Sequence, residues 1–399
     1  MPVPSWPEAR AEMLLDPTVA NLNTGSFGPL SRQAFERVTT LRRRLAEEPM
    51  DFLLRQAPPL LADARTHLAH FLNADERRLV FTANATAAIN TVAAGLRVAA
   101  PGEILLTDHE YGAMIWCWER AAQRQGLTPR TFALPRLPSD PEEIVAAART
   151  AFTPRTRLLF FSHVLSPTGL VLPARELCAE ARRRGIVTVV DGAHAPALLP
   201  LDLKDISADY YAGNCHKWLL APTGSGFLHF GAESAERLQP LQVSWGWHYN
   251  PARADEPDEW GSTPRLRAFE FEGTRDLCAW LAVPAAIEFQ EALGWPAIRT
   301  RMAELAAYAR ERLGRIPGLH LATPDAPDLH GAMTAFELPG GSNPQRLRKE
   351  LWEGYRIEAP VIERPDRLLI RVSTHWYNTD DEIDRLAEAL PQLLSPSPS

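Results

Sequence analysis

The chain reads as an α/β protein with a mostly parallel sheet, and three features point there. Short β-rich runs alternate with helix-patterned stretches through the first two-thirds, an order that calls for crossover helices between parallel strands. The last third leaves that alternation for long helices, turns and an isolated strand. The length, 399 residues, suffices for two or three domains and a large apolar core.

The β-rich runs are Leu79–Thr82, Glu103–Thr107, Arg157–Ser162, Ile186–Val190, Tyr210–Ala212 and Gly226–Phe230. Between them, Pro141–Ala151 is alanine-rich and begins after Ser139-Asp140, while Pro173–Gly185 has helical spacing and stops at a glycine. Both are predicted crossover helices. Next come a helix over Trp295–Leu313, turns at Pro339–Ser342, a helix over Pro344–Glu353 capped by Asn343, and the strand Leu368–Val372. A capping box of Thr379 and Glu382 opens the last helix, and the closing Ser-Pro-Ser-Pro-Ser predicts a frayed tail. The runs Arg42-Arg43-Arg44 and Arg182-Arg183-Arg184 read as solvated helix faces.

Against 49 acidic residues stand 42 basic ones, a balance of −7, so no positive excess is available for neutralising a run of phosphates and nucleic acid is not an expected partner. Cys117, Cys178, Cys215 and Cys278 are widely spaced with no C-x-x-C pair, which signals neither zinc nor a disulfide framework and fits a reducing cytoplasm. The first residues, Met1 to Pro7, lack the basic flank and apolar stretch of a signal peptide, and no apolar run approaches the roughly 20 residues that span a bilayer. A soluble, membrane-independent protein is expected. Only Lys204, Lys217 and Lys349 offer a titratable amine, because arginine holds its proton too tightly.

Asp191-Gly192-Ala193-His194 ends an apolar strand, and 26 residues after the aspartate comes Lys217, within Asn214-Cys215-His216-Lys217-Trp218 and just before the turn Pro222-Thr223-Gly224-Ser225-Gly226. In an open α/β sheet both segments lie where strands discharge into loops, the edge at which ligands bind. A lysine kept neutral can form a Schiff base with an aldehyde cofactor, and a carboxylate facing a pyridine nitrogen keeps that nitrogen protonated, so the ring accepts electrons. Pyridoxal phosphate needs that pair. Its phosphate needs an anion seat, and Leu79–Asn90 offers one: a strand, the small-residue turn Thr82-Ala83-Asn84-Ala85-Thr86, then a helix whose first amides are free, with Thr86 adding a hydroxyl. Tight strand-to-helix packing is the other explanation of those small residues.

These segments, with Asn23-Thr24-Gly25-Ser26-Phe27-Gly28, Phe81–Thr86, Asp108-His109-Glu110-Tyr111, Tyr211–Lys217 and Glu272-Gly273-Thr274-Arg275, make the chain resemble a fold-type I pyridoxal-phosphate enzyme of the class V aminotransferase group, in its isopenicillin N epimerase-like branch. The resemblance covers nearly the whole chain. It implies a mainly parallel seven-stranded sheet in a large domain, 20–284, a smaller α+β domain from 1–19 and 285–394, and a tail at 395–399. It further implies that Lys217 carries the cofactor, that Asp191 pairs with the pyridine nitrogen, that His194 lies beside the ring near its phenolic oxygen and that Tyr111 stacks on the ring. Ala85 (through its amide), Thr86, Asn214 and His216 would hold the phosphate, with Thr274 reaching it from a second subunit of a homodimer. His163 stands where desulfurase-type relatives usually carry an asparagine near the phenolic oxygen.

Arg371, in the strand Leu369–Ser373, is an inward-facing charge among apolar neighbours, costly to bury without an anion. The matching family position grips the α-carboxylate of an amino acid through a guanidinium fork. An ion pair with Asp366 or Glu363 is the alternative. Carboxylate orientation would leave the Cα–H bond exposed to the Lys217 amine, and deprotonation at Cα is the expected first step. Epimerisation, transamination and C–S lysis all follow from it. An epimerase needs a second proton donor, for which His109, Tyr111, His163 and His248 are candidates. The stretch Arg356–Ile362 holds no thiol, which disfavours persulfide-forming chemistry. The aromatic segment Trp245-Gly246-Trp247-His248-Tyr249-Asn250 could line a pocket for a bulky substrate or staple an interface. A cofactor-fold binding protein without turnover is the reading from another class.

Overall fold

The computed structural model describes residues 5–231 and 233–394, so the tail expected at 395–399 lies outside the described residues. The main sheet has seven strands: β1 (Leu79–Thr82), β2 (Gly102–Thr107), β3 (Leu127–Phe132), β4 (Thr156–Ser162), β5 (Val187–Gly192), β6 (Tyr210–Asn214) and β7 (Gly226–Phe230). Their spatial order is β1-β7-β6-β5-β4-β2-β3, and only β7 pairs antiparallel to its neighbours. The expected seven-stranded, mainly parallel sheet is what forms.

Both faces of the sheet are covered, as a parallel sheet requires, and the strands are accordingly apolar on both sides. Ile104, Leu158, Phe160, Val189 and Ala212 face one core, under α1 (Ala85–Gly95) and α2 (Gly112–Gln125). Leu105, Leu159, Phe161, Val190 and Tyr211 face the other, which includes α3 (Pro141–Ala151) and α4 (Ala174–Arg182). The Asp140 side chain caps α3 by accepting from the Glu143 amide at 3.1 Å. α4 ends earlier than its sequence pattern, the chain turning through Gly185 at φ +66°.

β3 was absent from the runs recognised in the sequence. It contains Pro129 and is polar over Thr128–Thr131, because it is an edge strand: one side needs no partner, so a missing N–H and outward polar side chains are tolerated.

A second, antiparallel sheet follows, β8 (His320–Leu321), β9 (Met333–Glu337), β10 (Val361–Glu363) and β11 (Leu368–Ser373), in the order β10-β11-β9-β8. It packs with the long helix Trp295–Gly314 and the last helix Asp380–Leu394 around Leu305, Leu313, Phe336, Ile370, Ile383 and Leu386. The caps foreseen here form: Asn343 accepts from the Arg346 amide at 2.9 Å, and the Thr379 amide donates to Glu382 at 3.1 Å. Residues Ala20–Asn21, which the expected division assigns to the large domain, pair instead with Ile357–Glu358. The arginine runs are the expected solvated faces and also make ion pairs: Arg183 and Arg184 both pair with the buried Glu180, and Arg42 pairs with Asp276 at 3.0 Å. Among the described residues no helix is long and apolar enough to cross a membrane.

Candidate active site

The carboxyl ends of β1, β2, β4, β5 and β6 open onto one cavity of about 320 Å³. Its lining includes Thr86 at the start of α1, Tyr111 after β2, Ser162 and Ser166 at and after β4, Asp191 and His194 at and after β5, and Asn214, His216 and Lys217 at and after β6. The loop 23–28 closes one side, with Gly25, Ser26 and Phe27 in the wall. Gly28 lets that loop in: its amide donates to the His216 carbonyl at 2.9 Å, and a Cβ there would stand 2.1 Å from the Lys217 carbonyl oxygen.

Arg371 enters from the second sheet. Its guanidinium donates to the Ser166 carbonyl (2.7 Å), Ser166 Oγ (3.1 Å), Asn23 Oδ1 (3.0 Å) and Ser26 Oγ (3.3 Å). No carboxylate meets it among the described residues: Glu363 pairs with Arg348 and Asp366 with Arg367, so the ion-pair alternative falls. Arg371 Nε is buried with no hydrogen-bond partner, and burial lowers the group to about 10.

Lys217 Nζ lies 3.3 Å from His194 Nε2, and the Trp218 indole N–H makes a long contact, 3.5 Å, to His194 Nδ1. With the indole N–H directed at Nδ1, Nε2 is the ring nitrogen that faces the lysine. Burial, then the Arg371 charge, lowers Lys217 to about 8, while burial holds His194 well below its ordinary range. Asp191 accepts from the Ala193 amide at 2.9 Å, yet burial still raises it above the ordinary carboxylate range. It therefore calls for a cationic N–H partner.

Two sequence expectations need correction, those for His163 and for the Ala85 amide. His163 does not line the cavity: Ser162 ends β4 on the cavity face, the next side chain points to the opposite face, and His163 Nδ1 meets the Tyr211 hydroxyl there at 2.8 Å. The Ala85 amide is already donated to Asn214 Oδ1 at 2.8 Å, so Ala85 acts on the anion seat through Asn214. The first-turn Thr86 amide remains available. His216 leans on the Ser225 carbonyl (3.2 Å), which leaves its other ring nitrogen for the cavity. Thr274 is exposed and outside this chain's cavity. The Trp245–Asn250 segment is likewise elsewhere, with Trp247, His248 and Tyr249 lining a separate groove near Arg265 and Phe269.

Sequence reasoning assigned no role to Glu110, Ser162 or Ser166. Glu110 is buried behind the cavity, accepting from Thr107 Oγ1 and Ser162 Oγ, each at 2.6 Å, and burial raises it to about 7. The alternation Ser162, Val164, Ser166 along one face was the available signal.

The residues fit pyridoxal phosphate: an amine held near neutrality, a buried carboxylate short of a cationic partner, an amide-bearing helix start for the phosphate, and an unsatisfied guanidinium for a carboxylate. Fold and site together define a pyridoxal-phosphate-dependent enzyme. Comparison with known proteins gives the lineage, since the aminotransferase class-V profile matches residues 51–386. The chain belongs to that family.

It is 59% identical to the isopenicillin N epimerase of Streptomyces clavuligerus over 397 residues, covering 98% of this chain and 99% of that protein. With the isopenicillin N epimerase of Amycolatopsis lactamdurans it shares 58% over 395 residues, 98% of each chain. Among solved structures it resembles a cystine C–S lyase in complex with its reaction product cysteine persulfide, at 27% identity and TM-score 0.83, covering 96% of this chain and 99% of that one. A variant of that lyase scaffold carries glycine covalently linked to its PLP cofactor.

Proposed function

We propose that this chain inverts the amino-acid Cα of isopenicillin N. The observation that carries the reading is one cavity holding both an amine near neutrality, Lys217, and a guanidinium without an anionic partner, Arg371. Identity of 58–59% to two isopenicillin N epimerases over nearly the full length supports the choice of substrate.

Lys217 would carry the cofactor at rest, Asp191 would face the pyridine nitrogen, and His194 would lie beside the ring. Thr86, Asn214 and His216 would hold the phosphate, with Tyr111 against the ring face. When bound, pyridoxal phosphate would supply an electron-accepting ring for the electron pair released at Cα. Arg371 grips the substrate carboxylate and fixes which Cα bond faces Lys217. The Lys217 amine then takes the proton from Cα, at a cavity where burial keeps it a usable base near pH 8.

A homodimer belongs to the same proposal: Thr274 would reach the partner's phosphate, and the exposed Phe27, Trp116, Trp245 and Trp260 supply apolar surface for a subunit contact. Four buried free thiols suit a reducing cytoplasm. A C–S lyase is the second reading, favoured by the TM-score of 0.83 to the cystine lyase.

Incubation of the cofactor-loaded protein with isopenicillin N in D2O separates the two. The expected product is the inverted epimer carrying deuterium at Cα, with no keto acid. Pyruvate and a sulfur species from cystine, without any inversion of isopenicillin N, would establish the lyase instead.

A further inference from the structure

Inversion requires an acid on the face of Cα opposite the base, and the inference here rests on the epimerase reading above. We propose that the Tyr111 phenol is that second-face proton group, working across the cavity from Lys217.

The placement follows from the sheet. Lys217 follows β6 and Tyr111 follows β2, and the strand order sets β5 and β4 between them. Three strand spacings amount to about 14 Å between the two strand ends, and the residues that follow them line the one cavity from its opposite flanks. Asp191 and Ser162, from the two intervening strands, lie between.

Of the other titratable lining groups, Asp191 lies between the flanks and would face the ring nitrogen, Arg371 enters from the second sheet for the carboxylate, and the two histidines are on the lysine's flank. His194 touches Lys217 Nζ, and His216 precedes Lys217 in the chain and is tied to the Ser225 carbonyl. Outside the cavity, His109 is engaged by Asp108 (2.7 Å) and Arg367 (3.3 Å), His163 is on the opposite sheet face, and His248 lines the separate groove. Ser26 and Ser166 hold Arg371, and a serine hydroxyl is a far weaker acid than a phenol.

Tyr111 is also at a position that helix chemistry does not ask for. It occupies the N-cap of α2, where Ser, Thr, Asp or Asn would accept from the first turn, and it makes no side-chain cap bond. Its backbone is nonetheless fixed, with the carbonyl accepting from Met114 at 2.8 Å and Glu110 beside it pinned to Thr107 and Ser162. The ring is 53% exposed, wetted as well as cavity-lining.

The protons balance. The Lys217 amine takes the α-proton of one epimer and becomes an ammonium. The Tyr111 hydroxyl gives its proton to the opposite face of Cα, where the electron pair of the broken C–H bond forms the new one, and is left a phenolate. Water then removes a proton from the ammonium and returns one to the phenolate. The other epimer runs the same transfers in reverse.

The test uses cofactor-loaded wild type and Tyr111→Phe, each given the two epimers of isopenicillin N separately in D2O. Exchange at Cα is read by mass spectrometry, inversion by chiral chromatography, and pyridoxal phosphate affinity by titration of the apo form. The variant is expected to exchange one epimer through Lys217 at a tenth or more of the wild-type rate. Exchange of the other epimer, and inversion of both, should fall below one-tenth, with cofactor affinity within threefold because the ring stays. Inversion at a tenth or more of the wild-type rate, or equal loss of exchange from both epimers, would overturn the assignment. Wild type that inverts neither epimer would end the epimerase reading itself, independently of the variant.

Discussion

Lys217 and Arg371 each occupy the cavity short of the ionic partner their charge would call for. A buried guanidinium whose terminal N–H groups meet only carbonyl, amide and hydroxyl oxygens, and whose Nε has no partner, would exchange its hydroxyl contacts for the two oxygens of an anion, and a point-charge ammonium cannot reproduce that fork. Arg371→Lys is therefore expected to raise KM for isopenicillin N about 100-fold, on the order of 3 kcal/mol of charge-assisted bonding, while leaving the absorbance of the bound cofactor unchanged. Steady-state kinetics alongside a visible spectrum checks both halves, and an unchanged KM would return Arg371 to a structural role. The residue types were legible in sequence because so few lysines compete for the job, and because a lone charge inside Leu369–Ser373 is conspicuous. Face parity was not legible at a strand end: His163 and Ser162 are adjacent polar residues, and only the pleat decides which one meets the cavity. Bonds between predicted ligands, such as the Ala85 amide to Asn214, also depend on loop geometry that spacing does not carry.

Elements with strong local signals formed where the pattern put them. Pro141–Ala151 and Pro344–Glu353 match their sequence bounds, because Asp140 and Asn343 supply cap acceptors that few other arrangements would use. Asp140→Ala removes the acceptor for the Glu143 amide and should cost about 1 kcal/mol in urea unfolding without altering cofactor affinity, since α3 packs away from the cavity. A change in cofactor affinity would show that α3 is coupled to the site. β3 was invisible for the converse reason. Its Pro129 and polar centre obey the rules for an edge, and a sequence does not announce which strand will be at the edge.

At the scale of the whole molecule, the site is a meeting of distant parts: the ends of five strands, the loop 23–28 and one arginine from the second sheet. That the N-terminal residues Ala20–Asn21 pair with Ile357–Glu358 explains how Asn23 and Ser26 come to bond Arg371. The family's order of segments carried this convergence into the sequence, whereas the distances and the far-face position of His163 emerged only from folding. All of it turns on which amine bears the cofactor. Borohydride reduction of the pyridoxal-phosphate-loaded protein, followed by peptide mapping, should place a single pyridoxyl adduct on Lys217 and bleach the visible absorbance. An adduct on the exposed Lys204 or Lys349, or none at all, would contradict it.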